Sequence, residues 1–199
     1  MRTERVFVCL FIIVIIQKAL HISDGGLIFI LSSYGLSLIY LFGAFYFFCD
    51  GSIKRQNLPL SIISGILLSI APVGILYKME YIVDGMPWLV AAVAASGIVL
   101  VAVLLLRNRA GEELKTYYTN MRARSLFLFI LTAILLLIPT RALMHLEYYN
   151  DPQYAELKAN CYDNPDNKLS QKALVDYANQ HYPSHKQLQD KQLKRSTEK

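Results

Sequence analysis

The chain has 199 residues, 54% of them apolar, and a formal charge of +5 at neutral pH. The apolar residues are bunched into long stretches rather than interspersed with polar ones, which excludes an ordinary soluble domain. From Glu147 onward basic and acidic residues are equal in number. The positive excess therefore belongs to the apolar part and does not mark a nucleic-acid surface.

A helix needs about 20 apolar residues to cross the hydrocarbon of a bilayer. The first stretch, Val6–Ile22, follows Arg2 and Arg5 and carries Lys18 near its far end. Its flanks resemble a signal peptide, but Gln17-Lys18-Ala19-Leu20-His21 lacks a small-x-small cleavage pattern, so the stretch is read as a retained span. Leu27–Phe48 is the second span and completes hairpin A, residues 6–48. Leu58–Tyr77 and Pro87–Leu106 form hairpin B, residues 58–106. Small residues mark close helix contacts. On the third span these are Ser61, Gly65 and Ser69; on the fourth, Ala91 and Ala95 head the row. A basic loop, Arg107–Arg124, reads either as an ordinary cytoplasmic loop or as a surface helix on an anionic leaflet. Leu126–Leu146 is the fifth span, with Pro139 and Arg141 inside it. Arg141 is expected to reach the head groups or Glu147, a buried anion site being the sharper alternative.

The sequence thus predicts an all-α fold. A helical bundle of five transmembrane helices fills residues 1–146, as two repeated hairpins plus one, and a short helical tail fills 147–199. In the tail, Asp151-Pro152 starts one helix. Leu169, Ala173, Leu174, Tyr177 and Ala178 define a face of a second. Two such helices are too small to bury a core alone.

The repeat is the main motif. Ile15-Ile16-Gln17-Lys18-Ala19-Leu20-His21-Ile22-Ser23-Asp24-Gly25 aligns with Ile75-Leu76-Tyr77-Lys78-Met79-Glu80-Tyr81-Ile82-Val83-Asp84-Gly85, sixty residues on. Each Asp can cap the next helix and each Gly, Gly25 and Gly85, can take the positive φ of a tight turn. Lys18, Asp24, Lys78, Asp84 and Arg141 are the binding or coupling candidates. The structural reading of the two lysines is a snorkelling amine paired with a turn carboxylate. The functional reading is an ionisable group held in the bundle.

Lys and Arg of short loops mark the cytoplasmic side. Arg2, Arg5, Lys54, Arg55, Arg107, Arg109, Lys115, Arg122 and Arg124 share one side, opposite Lys18 and Lys78. The amino terminus is then cytoplasmic and the tail periplasmic or extracellular. Tyr34, Tyr40, Tyr46, Tyr77, Tyr81 and Trp88 fall mostly near span ends, as interfacial rings do.

Cys9, Cys49 and Cys161 lack metal-ligand spacing, and Pro183 interrupts the His181/His185 pair, so no metal or other cofactor is expected. No catalytic motif is present and the chain is read as not an enzyme.

Lys18 through Gly26, followed by Leu27-Ile28-Phe29-Ile30-Leu31, resembles the first hairpin of the gliding-motility and type IX secretion protein GldL and its Bacteroidota relatives. His21 and Gly25 keep part of that family's turn, while its Trp-Pro pair is missing. The family's motor protein carries a membrane-buried Glu on its second span, and neither Leu27–Phe48 nor Pro87–Leu106 contains one. The resemblance implies a bacterial inner membrane and no proton-powered stator. The expected function is a non-catalytic scaffold or accessory subunit of an envelope assembly, with lipid and a membrane-protein partner or second copy as neighbours. The alternative is a small ion- or solute-coupled transporter or motor subunit using the repeated Lys/Asp turns.

Overall fold

The computed structural model describes residues 2–19, 26–47, 57–82, 85–108 and 110–181. Among these the chain is all helical: α1 (Arg2–Ala19), α2 (Gly26–Phe47), α3 (Leu58–Met79), α4 (Gly85–Arg107), α5 (Glu112–Leu137), α6 (Thr140–Glu147), α7 (Pro152–Asp163) and α8 (Lys168–His181). It forms two compact units, Met1–Pro139 and Thr140–Lys199.

Local chemistry sets the helix ends in the first unit. At the start of α3 the Asn57 side chain accepts the Leu60 N–H at 3.3 Å. Pro59 occupies the first turn, where a missing N–H costs nothing. At its end, Ile82 N–H donates to Tyr77 O at 3.1 Å and Tyr81 N–H to Lys78 O at 3.3 Å. That pair of bonds is a Schellman cap, whose left-handed position usually holds Gly. Here Tyr81 holds it, with φ 55°. Helix α5 ends because Pro139 disfavours helical backbone in the residue before it. Ile138 is accordingly extended, with φ −82° and ψ 120°.

Helix α3 is the centre of this unit, packed against α2, α4 and α5, while α1 packs on α2. Cross-helix contacts fix the directions. Gly35 lies against Phe7 and Gly74 against Ala92, so successive helices are antiparallel. Ser61 meets Tyr117 and Ser64 meets Met121, so α3 and α5 are parallel. The core includes Phe11, Phe29, Leu36, Leu68, Ile75, Leu89, Val99 and Leu128, all essentially inaccessible. Leu27, Leu31, Phe42, Ile98, Leu105 and Leu137 point outward. Helices apolar on both inner and outer faces suit a bilayer, where lipid takes the place of the missing neighbour.

Among the described residues four helices are long and apolar enough to cross a membrane: α2 through residues Gly26–Gly43, α3, α4 and α5. The apolar part of α1, Val6–Lys18, is shorter.

Several sequence expectations change. The fifth span does not run over 126–146: α5 begins at Glu112, and Pro139 separates it from α6. Most of the basic segment 107–124 is therefore the first half of α5, because Glu112 and Glu113 favour a helix amino terminus. Residues 140–146 group with the C-terminal helices in the compact unit Thr140–Lys199. Ala91 faces outward; the packed small residues of that row are Ala92, Ala95 and Ser96. Tyr40 is buried in the bundle.

In the second unit, α7 packs against both α6 and α8. The Asp151 side chain caps α7 by accepting the Tyr154 N–H at 3.0 Å, with Pro152 at its start. Leu143, Met144, Ala155 and Ala159 are buried between α6 and α7. Helix α8 buries nothing fully, and Leu169 is 79% exposed. Of its expected apolar face, Leu174, Tyr177 and Ala178 are half-buried and Ala173 is exposed.

Candidate functional site

The polar groups of the first unit fall into two sets. Hydroxyls inside the spans mostly bond their own helix: Ser33 Oγ donates to Phe29 O at 2.7 Å, Ser96 Oγ to Ala92 O at 2.7 Å and Thr132 Oγ1 to Leu128 O at 2.8 Å. Such back-bonding satisfies a polar group where no water is present. Others join helices. Ser37 Oγ donates to Ser69 O at 2.8 Å, tying α2 to α3. Ser61 Oγ lies 2.9 Å from Tyr117 Oη, and Tyr117 Oη donates to Asn57 O at 3.2 Å. Of the packing candidates, Ser61, Gly65 and Ser69 are buried on α3 and Ala95 on α4.

The lysines of the repeat part company. Lys18 Nζ stands 2.7 Å from Glu80 Oε1, the two side chains 13% and 26% exposed. Its amine also lies 5.7 Å from the Phe29 ring centroid and 6.0 Å from that of Tyr81. The ion pair thus joins the end of α1 to the turn after α3. Lys78, by contrast, is buried, with Nζ 3.6 Å from Met86 Sδ. Asp24, Asp84 and Gly25 lie outside the described residues.

Gly85 begins α4, and a Cβ there would stand 2.9 Å from the Tyr77 carbonyl oxygen. The turn therefore needs Gly for close approach. Gly74, which the sequence reading passed over, does the same along the helices. A Cβ on it would be 2.8 Å from Trp88 O and 2.9 Å from Ala92 Cβ.

Arg141 is not a fifth-span charge. Its Nε lies 2.9 Å from Asp163 Oδ2 and one terminal nitrogen donates to Asn160 Oδ1 at 2.7 Å, with Glu156 at 3.6 Å. These partners lie on α7, and the group staples α6 to it. His145 Nε2, one turn on, stands 3.3 Å from Glu156. Nearby, Lys158 Nζ donates to Tyr148 Oη at 2.7 Å and Tyr177 Oη to Asp151 Oδ1 at 2.8 Å. Burial raises the Tyr154 phenol above its ordinary pKa, helped by the negative charge of Glu147 and Asp151. Tyr177 is raised mainly by its bond to Asp151, and Cys161 by burial.

Sequence reasoning missed Glu80. The signal was present, since Glu80 is where the second repeat carries an acid and the first carries Leu20. Among the described residues no three His, Cys, Asp or Glu side chains converge as a metal site.

Fold and surface together define an all-helical protein suited to a lipid bilayer. No family model matches the chain, and neither a curated protein nor a solved structure matches it.

Proposed function

We propose that the chain is a non-catalytic integral membrane component, a scaffold or accessory subunit, of a bacterial envelope assembly. The Lys18–Glu80 pair carries this reading. Those two charges bond each other across the two hairpins at 2.7 Å, which is the use of charge as a fastener. The likeness of the Lys18–Gly26 turn to GldL relatives supports the bacterial inner membrane as the setting.

In this reading α1 is a fifth span. Its apolar part, Val6–Lys18, rises about 20 Å, a shortfall that local thinning of the bilayer takes up, and Lys18 can snorkel to the boundary. The biased Lys and Arg of the loops then set the amino terminus in the cytoplasm and the Thr140–Lys199 unit outside. That unit presents Leu146, Tyr149, Leu169 and Val175 to its surroundings, a surface for a protein partner.

Crosslinking and pull-down from native membranes, with and without residues 140–199, tests the role. Specific partners lost on truncation support it, and an unchanged partner set removes it. Impermeant thiol labelling tests the topology: Cys161 reacting only from the cytosol would overturn it.

The transporter or motor-subunit alternative draws on Lys78, a cation 3% exposed inside a span. Lys78→Met, with assembly intact and a measured ion or solute flux abolished, would favour it over the scaffold.

A further inference from the structure

A crevice of about 400 Å³ lies between the helices, lined by Val8 and Cys9 of α1, Tyr40 of α2, and Asn120, Arg124 and Phe127 of α5. We infer that it is a water-filled inlet, open at the end of the bundle where α1 begins and reaching hydrocarbon depth.

Register gives the depth. Ser61 meets Tyr117 and Ser64 meets Met121, so Arg124 is level with Leu67 of α3. Leu67 lies about 14 Å past Leu58 along that helix. Over this stretch α3 turns Leu58, Ile62, Ile63 and Ile66 outward, a wall that suits lipid. Helix α1 begins at a similar depth: Phe7 lies against Gly35 and Phe11 stacks on Phe29, so Arg2 is level with the turn of α2 that ends at Tyr40. Tyr40 is itself about 10 Å inside the end of α2 at Phe47. The polar start of α1 and the polar half of α5 thus flank the crevice where charge is costly unless it meets a partner or water.

The chemistry of the walls selects water. Arg124 is already engaged with the protein, but its guanidinium carries five N–H donors, more than a single neighbour takes up. Asn120 adds two donors and an acceptor. An acyl chain in the crevice would leave those groups dry, which hydrocarbon penalises. Charge around the crevice is mixed, because Glu4 precedes Val8 by one turn on α1, so neither a cation nor an anion is selected over neutral water. At about 30 Å³ per molecule, the volume admits on the order of ten waters. Toward the end where α1 begins, α5 carries Lys115, Thr116 and Thr119, a polar track leading to the crevice.

The inference rests on the reading of α1 as a span, and thiol accessibility tells the two apart. Cys9 lines the crevice, whereas Leu10, next to it in depth, is 43% exposed on the outer surface. The full chain in phosphatidylcholine nanodiscs is treated with a hydrophilic methanethiosulfonate, which reaches both faces and needs a thiolate in water to react. One variant keeps Cys9 as its only thiol (Cys49→Ser with Cys161→Ser). A second moves the thiol one residue on, by Cys9→Ser and Leu10→Cys in the same background. Cys9 should react roughly tenfold or more faster than the thiol at position 10. Ala123→Trp, which adds bulk in the crevice lining, should slow Cys9 by roughly the same factor. If Ala123→Trp does not fold, the comparison of positions 9 and 10 decides alone. Slow reaction at both positions, as an acyl chain in the crevice would give, overturns the inlet and leaves the span. So does a Cys9 rate that Ala123→Trp leaves unchanged. Fast reaction at both positions overturns the span, and the inlet with it.

Discussion

Three glycines in the first unit make a test of helix packing, because the same added methyl would meet three different things. At Gly74 it would meet the Trp88 carbonyl oxygen at 2.8 Å and Ala92 Cβ at 2.9 Å, both carried on the α4 backbone. At Gly35 it would meet the Phe7 ring at 2.7 Å, a side chain that can swing. At Gly97 its first neighbour is the Phe129 ring at 3.3 Å. Replacing Gly by Ala inside a helix returns about 1 kcal/mol of propensity in every case. Overpacking a rigid contact costs about 1–3 kcal/mol. Gly74→Ala should therefore be destabilising by about 0–2 kcal/mol net, and Gly74→Val by more, since α3 and α4 must separate. Gly97→Ala should be neutral or stabilising by up to about 1 kcal/mol, with Gly35→Ala between them. Reversible unfolding in mixed micelles, followed by circular dichroism, gives the ranking. If Gly74→Val and Gly97→Ala shift the midpoint alike, the close α3–α4 approach is not a determinant of the fold.

The Lys18–Glu80 pair should show a coupling of about 1–3 kcal/mol in a double-mutant cycle of Lys18→Met and Glu80→Gln, between the values of exposed and buried pairs. Additive effects would dismiss the fastener. Tyr81→Gly should relieve the left-handed strain, about 1–2 kcal/mol, less about 0.5–1 for the lost ring contact with Lys18. A lowered unfolding midpoint would contradict that balance. The C-terminal unit should fail in alkali. Tyr154 and Tyr177 have raised pKa values, so the folded form holds their protons more tightly than the unfolded chain. That stabilisation is complete below the ordinary phenol value of about 10 and is lost as pH climbs through the raised ones. Tyrosinate absorbance against helicity should show the loss above about pH 10, delayed in Tyr154→Phe. An alkaline midpoint identical in Tyr154→Phe would refute the assignment.

Much of the helical order was legible because span length and bilayer thickness are tied together. The start of α7 was legible for a more local reason, Pro152 following the capping side chain of Asp151. Pro139 was misjudged. A proline in an apolar run can sit inside a helix, as Pro72 does in α3, or end one, as Pro139 ends α5. The polar residues that follow Pro139 find partners on α7, which periodicity cannot reveal. For the same reason Arg141 looked like a membrane charge, whereas Glu156, Asn160 and Asp163 surround it.

The repeat also shows why equal motifs do not give equal hairpins. Val14 occupies the position equivalent to Gly74, so α1 lacks at that place the glycine against which α4 packs in the second hairpin. Leu20 stands where Glu80 stands, so the first hairpin has no acid of its own in that turn position. Lys18 crosses to the second hairpin for one, and the two copies are bound together by the place where they differ. A carboxylate at position 20 would give Lys18 a second acidic neighbour, in competition with Glu80. Leu20→Glu should therefore weaken the coupling measured between Lys18 and Glu80, while leaving the α3–α4 contact at Gly74 unchanged. A coupling energy that persists at full size would show that the second carboxylate cannot reach Lys18, and that geometry rather than sequence difference directs the pair.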